Sequence, residues 1–180
     1  GFVRVSAAIK TSAVNLSKMS NDLRLLSSGP KAGIGEINLP AKQNGSSIMP
    51  GKVNPVIPEV VSQVAFRVIG NDLTITMAAE SGQLELNAFE PIIFHSLFES
   101  IDCLAHAVAT LTVNCITGIQ ANEMACYKHV EESAGIATAL CPTIGYQKAS
   151  AIAKESLETG KTVRELVLEK GLLTIAETDS

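Results

Sequence analysis

PIIFHSLFESIDCLAHAVATLTVNC, Pro91 to Cys115, decides the architecture. Ile93, Leu97, Ile101, Leu104, Val108, Leu111 and Cys115 follow one another at steps of three or four, the period of a helix that buries one stripe. Pro91 suits a first helical position, since its missing N–H has no partner there anyway. Carried almost to Gly118, the stripe predicts about 26 residues and a rod of about 39 Å. Upstream, Val60, Val61, Val64, Ala65, Val68 and Ile69 form a second helical face after Pro58. It runs on through Leu73 and Met77 towards Gly82 despite the β-branched "LTIT". A third stripe, Val5, Ile9, Ala13, Leu16, Leu23 and Leu26, stops at Gly29-Pro30, a helix-ending pair.

Composition agrees with packed helices. Hydrophobic residues make up 46% of the chain and aromatics only 4%, with no Trp. The core is therefore Ala, Val, Leu and Ile, which allows helices to approach closely. The expected class is all-α: a long-helix bundle over residues 1–121, then a small helical domain over 122–180. The change of character falls near Gly118 to Asn122. Beyond it the predicted helices are shorter, around Glu123–Glu132, Thr143–Glu158 and Thr162–Lys170. Thr162 with Glu165 has capping-box spacing, and Gly160 and Gly171 punctuate the ends. "TIAETDS" opens a second such box with Thr174 and Glu177. Helical pattern at the first residues and an opening cap at the last lead to the expectation of a fragment of a longer protein.

A chain of 180 residues buries roughly 70% of its unfolded surface, enough for a core without staples. With 18% charged residues and a net charge of −4, nothing suggests a nucleic-acid footprint. No uninterrupted apolar run approaches the ~18 residues of a membrane span, so neither nucleic acid nor membrane is an expected partner. Cys103, Cys115, Cys126 and Cys141 match no zinc or redox spacing. They read as small buried hydrophobes in a reducing cytoplasm, the expected location. His95, His106 and His129 read as structural or solvent-exposed, and Gln83, Glu85 and Asn87 as a polar helix-to-helix corner, with the lining of a subunit centre as the alternative. No metal or cofactor is expected.

Residues 29–58 hold five of the thirteen glycines and five of the seven prolines. About thirty residues without regular structure inside a helical protein point to a functional loop. Its centre is NGSSIMPGKVNP, Asn44 to Pro55. A phosphate-binding P-loop is excluded: five residues separate Gly45 from Gly51, Val53 stands where Ser or Thr must hold Mg²⁺, and no strand precedes it. A second chemistry fits better. Taking a proton from the carbon beside a carboxylate builds a doubly charged aci-carboxylate, which needs cations and directed donors already in place. Lys52 supplies charge, while Asn54, Ser47 and backbone N–H groups beside glycines supply donors. Ser46 would serve as base if those donors lower its pKa.

GSSIMPGKVNP resembles the GSSxMPxKxNP loop of the aspartase/fumarase superfamily at every defining position. "GEINLP", "PEVVSQVAFRVIGND", "GQLELNAFEP", "SAGIATAL" and "TGKTVRELVLEKGLL" extend the resemblance along the chain, towards its ammonia-lyase branch. The resemblance implies a homotetramer whose central helices form one bundle, and reversible conversion of L-aspartate to fumarate and ammonia. Ser46 would be the general base for the Cβ proton. Ser47, Lys52 and Asn54 would bind the substrate carboxylate and stabilise the aci-carboxylate. Gly45, Ile48, Met49, Pro50, Gly51 and Val53 would make up the flexible loop. Glu59 would be the carboxylate partner of a catalytic histidine supplied by another subunit. The family assembles each site from three subunits, and its "SSNDxxPT" and "GxTHxQD" segments are not in this sequence. A chain of this extent alone is therefore expected to lack a complete site. The alternatives are a fumarate hydratase of the same superfamily and an inactive helical assembly piece.

Overall fold

A computed structural model describes residues 1–30, 32–43 and 53–178. The chain is all-α, with one two-stranded ribbon among the described residues. It divides into two compact units, Gly1–Ala121 and Asn122–Ser180.

Three helices of 25 residues each dominate the first unit: α1 (Phe2–Leu26), α2 (Val56–Glu80) and α3 (Glu90–Asn114). Each is about 37 Å long at the α-helical rise. Helix α2 packs along its length on both others and runs antiparallel to each. Ser6 meets Asp72 while Arg24 meets Glu59, and Asn71 meets Ser96 while Val61 meets Leu111. The core is a chain of small clusters: Ile75, Ala78, Ile93 and Leu97 at one end, Ala13, Ala65 and Val68 midway, and Val61, Ala107, Leu111 and Cys115 at the other. Burial raises the pKa of the Cys115 thiol, which keeps it protonated and unreactive.

Helix α3 starts one residue before Pro91 and ends at Asn114, where a 3-10 turn (Ile116–Gly118) takes over. A short ribbon, which no periodic pattern announces, follows. Strand β1 (Ile37–Asn38) pairs antiparallel with β2 (Gln120–Ala121), matching Ile37 to Ala121 and Asn38 to Gln120. Pro40 lies so close to Gly118 that a Cβ there would sit 2.6 Å from its Cγ. Between α1 and β1 the chain doubles back: Ser28 Oγ accepts from Ile34 N at 3.0 Å, and Leu26 O from Glu36 N at 2.9 Å. The α2–α3 corner is the polar turn expected of Gln83 to Asn87. Asn87 donates to Ala78 O at 3.0 Å and accepts from Phe89 N at 2.8 Å.

Along Glu90–Gly118 the most apolar window reaches a mean hydropathy of 1.3, enough by length and composition alone for a membrane-crossing helix. Its interior face is nevertheless partly polar, with Ser96 and Ser100 buried towards α2. Apolar side chains also point outward: Phe66, Leu73 and Met77 on α2, Phe98 and Val113 on α3.

In the second unit, α4 (Glu123–Glu132) is capped by Asn122, whose side chain accepts from Ala125 N. A 3-10 stretch (Ala134–Leu140), α5 (Cys141–Ile144), α6 (Tyr146–Thr159), α7 (Val163–Glu169) and α8 (Ile175–Thr178) follow. The single helix expected from Thr143 to Glu158 is broken at Gly145, whose φ of +83° no helix accommodates and which glycine adopts at little cost. Both hydrogen bonds of the Thr162–Glu165 capping box are present. Ile152, Val163, Leu166 and Val167 form the core with Ala137.

Asp72 is the buried carboxylate of the first unit. Burial pushes its pKa up, but hydrogen bonds from Lys10 and Ser6 and the Lys10 charge outweigh this and hold it below the usual aspartate value. A carboxyl with a lower pKa folded than unfolded stabilises the fold above its unfolded pKa, and the contribution disappears as pH falls through the folded value. The urea midpoint should therefore decrease between pH 6 and pH 3, and Asp72→Asn should remove part of that decrease. An unchanged acid slope in the variant would exclude Asp72 as a contributor.

Candidate active site

Of the residues singled out in the loop, Gly45, Ser46, Ser47, Ile48, Met49, Pro50, Gly51 and Lys52 lie outside the described residues. Val53, Asn54 and Glu59 lie within them, and they show where the loop attaches.

Both ends of the loop rest on one patch of core. Leu39, before it, and Ile57, after it, pack against the cluster of Val61, Ala107, Leu111 and Cys115. The ribbon and the Pro40–Gly118 contact secure the first end. The second end enters α2 directly. Asn54 is half-buried, and its carbonyl accepts from Val56 N at 2.9 Å. Pro55 is the N-cap, with no side-chain capping bond, and its carbonyl accepts from Glu59 N at 3.1 Å. Asn54 therefore stands just ahead of the N-terminus of a long helix. The partial positive charge of the aligned peptide dipoles there favours a bound anion.

Glu59 occupies the first turn of α2, a favourable place for a carboxylate. Opposite it is a residue the sequence reading passed over, Arg24 in the last turn of α1. Its guanidinium is 3.8 Å from the Glu59 carboxylate and also donates to Asn21 at 3.3 Å. Both partners are substantially exposed, so the pair contributes little to stability but does hold the carboxylate on the side of α2 that faces α1. A basic residue in the last turn of a helix ordinarily reads as a complement to the dipole, which is why sequence alone did not single it out. Val53 is exposed. The structure thus brings Asn54, Glu59 and Arg24 to one end of the helical array.

No group of three or more His, Cys, Asp or Glu residues suited to a metal exists among the described residues. His106 contacts Asp102 one turn earlier, its Nδ1 lying 2.9 Å from the Asp102 carbonyl oxygen.

The family profile described as "Lyase" matches residues 1–70, and that described as "Fumarase C C-terminus" matches residues 136–180. The aspartate ammonia-lyase of Helicobacter pylori (strain ATCC 700392 / 26695) is 58% identical over 178 residues, covering 99% of this chain and 38% of that protein. The chain thus spans well under half the length of the curated relative it matches. Among solved structures, the fumarate lyase:delta crystallin of Brucella melitensis bound to cobalt aligns with a TM-score of 0.93 at 56% identity, covering 98% of this chain and 38% of that one. The class II fumarase of Schistosoma mansoni aligns with a TM-score of 0.87 at 36% identity, covering 99% of this chain and 37% of that one.

Proposed function

Because this chain belongs to the aspartase/fumarase superfamily, we propose that it is part of an aspartate ammonia-lyase and carries that enzyme's proton-abstracting loop. The observation that carries the reading is the 58% identity to an aspartate ammonia-lyase over nearly the whole chain, against 36% to a class II fumarase.

In this reading Ser46 Oγ, as alkoxide, takes the Cβ proton of L-aspartate. The C–H electron pair first delocalises into the adjacent carboxylate as the aci-carboxylate, then forms the double bond as the C–N bond breaks. Fumarate and ammonia leave, and the proton remains on Ser46 until lost to solvent. The slow demand is electrostatic, since the intermediate carries two negative charges on one carboxyl group. Lys52, Ser47 and Asn54 meet that charge, helped by the N-terminus of α2 beside Asn54. Glu59, steadied by Arg24, would orient a histidine from another subunit. Gly45, Ile48 to Gly51 and Val53 would form the segment that encloses the substrate.

The outward apolar side chains of α2 and α3, Phe66, Leu73, Met77, Phe98 and Val113, support assembly into a homotetramer, because monomers rarely expose contiguous surfaces of this kind. The reading also keeps the protein in the cytoplasm and the two compact units as separate domains of one subunit. The deciding experiment follows fumarate absorbance with the full-length protein. L-Aspartate should give turnover in the ordinary enzyme range and malate should not. Turnover of malate alone would make the protein a fumarate hydratase.

A further inference from the structure

On the face that α1 turns to its neighbours, the apolar pattern repeats every seven residues. Ser6, Ala13 and Ser20 are small buried positions at that interval, and Ser17 is a fourth buried position, a serine outside the row. The larger side chains packed on the core clusters are Ile9, Leu16 and Leu23, with the same interval. Along these two rows a slide of α1 by seven residues puts small side chains where small ones were and large where large ones were, while at the buried Ser17 it brings Arg24 or, the other way, Lys10. It moves the helix by about 10 Å with the pattern of those two rows preserved. Along those two rows, shape alone leaves the register of α1 on α2 degenerate, as in any heptad pattern that lacks a distinguishing residue.

A buried charged contact also breaks the repeat. Asp72 is 6% exposed; its Oδ1 accepts from Ser6 Oγ at 2.7 Å and its Oδ2 from Lys10 Nζ. After the slide, Ala13 would take the place of Ser6 and Ser17 that of Lys10. The buried carboxylate would then lose its counter-charge and one of its donors, a costly state. A slide the other way puts Val3 in the place of Lys10, with the same result. We propose that Asp72, through Ser6 and Lys10, sets the register of α1 against α2, and so is the positioning residue that keeps Arg24 opposite Glu59. Those two pairs are separated by thirteen residues of α2, about 20 Å, so the effect is transmitted by a rigid helix rather than by contact. The neighbouring Asn71 makes the corresponding bonds to α3, donating to Glu99 Oε2 at 2.7 Å, Ser100 Oγ at 3.1 Å and Ser96 O at 3.3 Å. That interface also has bulky partners, Ile75 against Ile93 and Leu97, and does not depend on one pin.

The test places cysteine pairs in the full-length protein and maps cross-linked peptides after mild oxidation. Ala13→Cys with Ala65→Cys reports the observed register, since both positions belong to one core cluster. Ser20→Cys with Ala65→Cys reports the slid one. With Asp72 intact, only the first pair should cross-link. With Asp72→Leu, helicity should persist while the first pair loses at least half its yield or the second appears. Asp72→Asn keeps the size and removes the charge, and should fall between the two; it decides the matter if the leucine variant does not fold. A variant that merely melts earlier, with Ala13–Ala65 still the sole product at full yield, overturns the proposal. So does cross-linking of both pairs with Asp72 in place.

Discussion

Ser46→Ala in the full-length protein should lower kcat on L-aspartate by on the order of 10²-fold or more, with substrate affinity little changed. The substitution deletes one oxygen, the proposed proton acceptor, and leaves Ser47, Lys52 and Asn54 to hold the carboxylate. Loss of an interaction made only in the transition state lowers kcat and kcat/KM together. A hundredfold loss corresponds to about 2.7 kcal/mol of activation free energy, a plausible share for a single positioned base. The comparison needs steady-state kinetics and a separate binding measurement with a non-reacting dicarboxylate. Near-normal kcat in the variant would place the base elsewhere.

Lys52→Ala has a different expected signature. Its ammonium meets the substrate carboxylate in the ground state and the aci-carboxylate later, when that group carries a second charge. Ground-state attraction lost raises KM; the larger attraction lost at the intermediate lowers kcat as well. Removing one preorganised partner of such an anion should reduce kcat/KM by roughly 10²- to 10³-fold. Lys52→Arg keeps the charge but exchanges a compact ammonium for a planar fork, and should recover KM more fully than kcat. If Lys52→Ala changes KM alone, the lysine binds substrate but does not stabilise the intermediate.

The helical array was legible because its information is periodic: Ile93 through Cys115 repeats one spacing for about six turns, and α2 tolerates "LTIT" because packing outweighs local propensity. What escaped were features set by single residues or distant partners. Gly145 divides α5 from α6 through one backbone angle. The pairing of Ile37–Asn38 with Gln120–Ala121 joins segments separated by two long helices, and two-residue strands have no alternation to detect. In the candidate site, the chemistry of Ser46, Ser47, Lys52 and Asn54 is written in residue types and offsets. Arg24 is not, because its relevance to Glu59 exists only once α1 and α2 are antiparallel and in register.

Leu39 and Ile57 stand on the same patch of core, which makes the segment between them a closed ring anchored on the protein rather than a tether strung between two bodies. The distance across the ring's base is set by the buried side chains of Val61, Ala107, Leu111 and Cys115. Lengthening the ring by a few residues adds only a logarithmic closure entropy. Shrinking a side chain beneath it, such as Leu111, leaves a void into which the base can settle. The fold should therefore lose less stability to edits of the ring's length than to edits of its foundation.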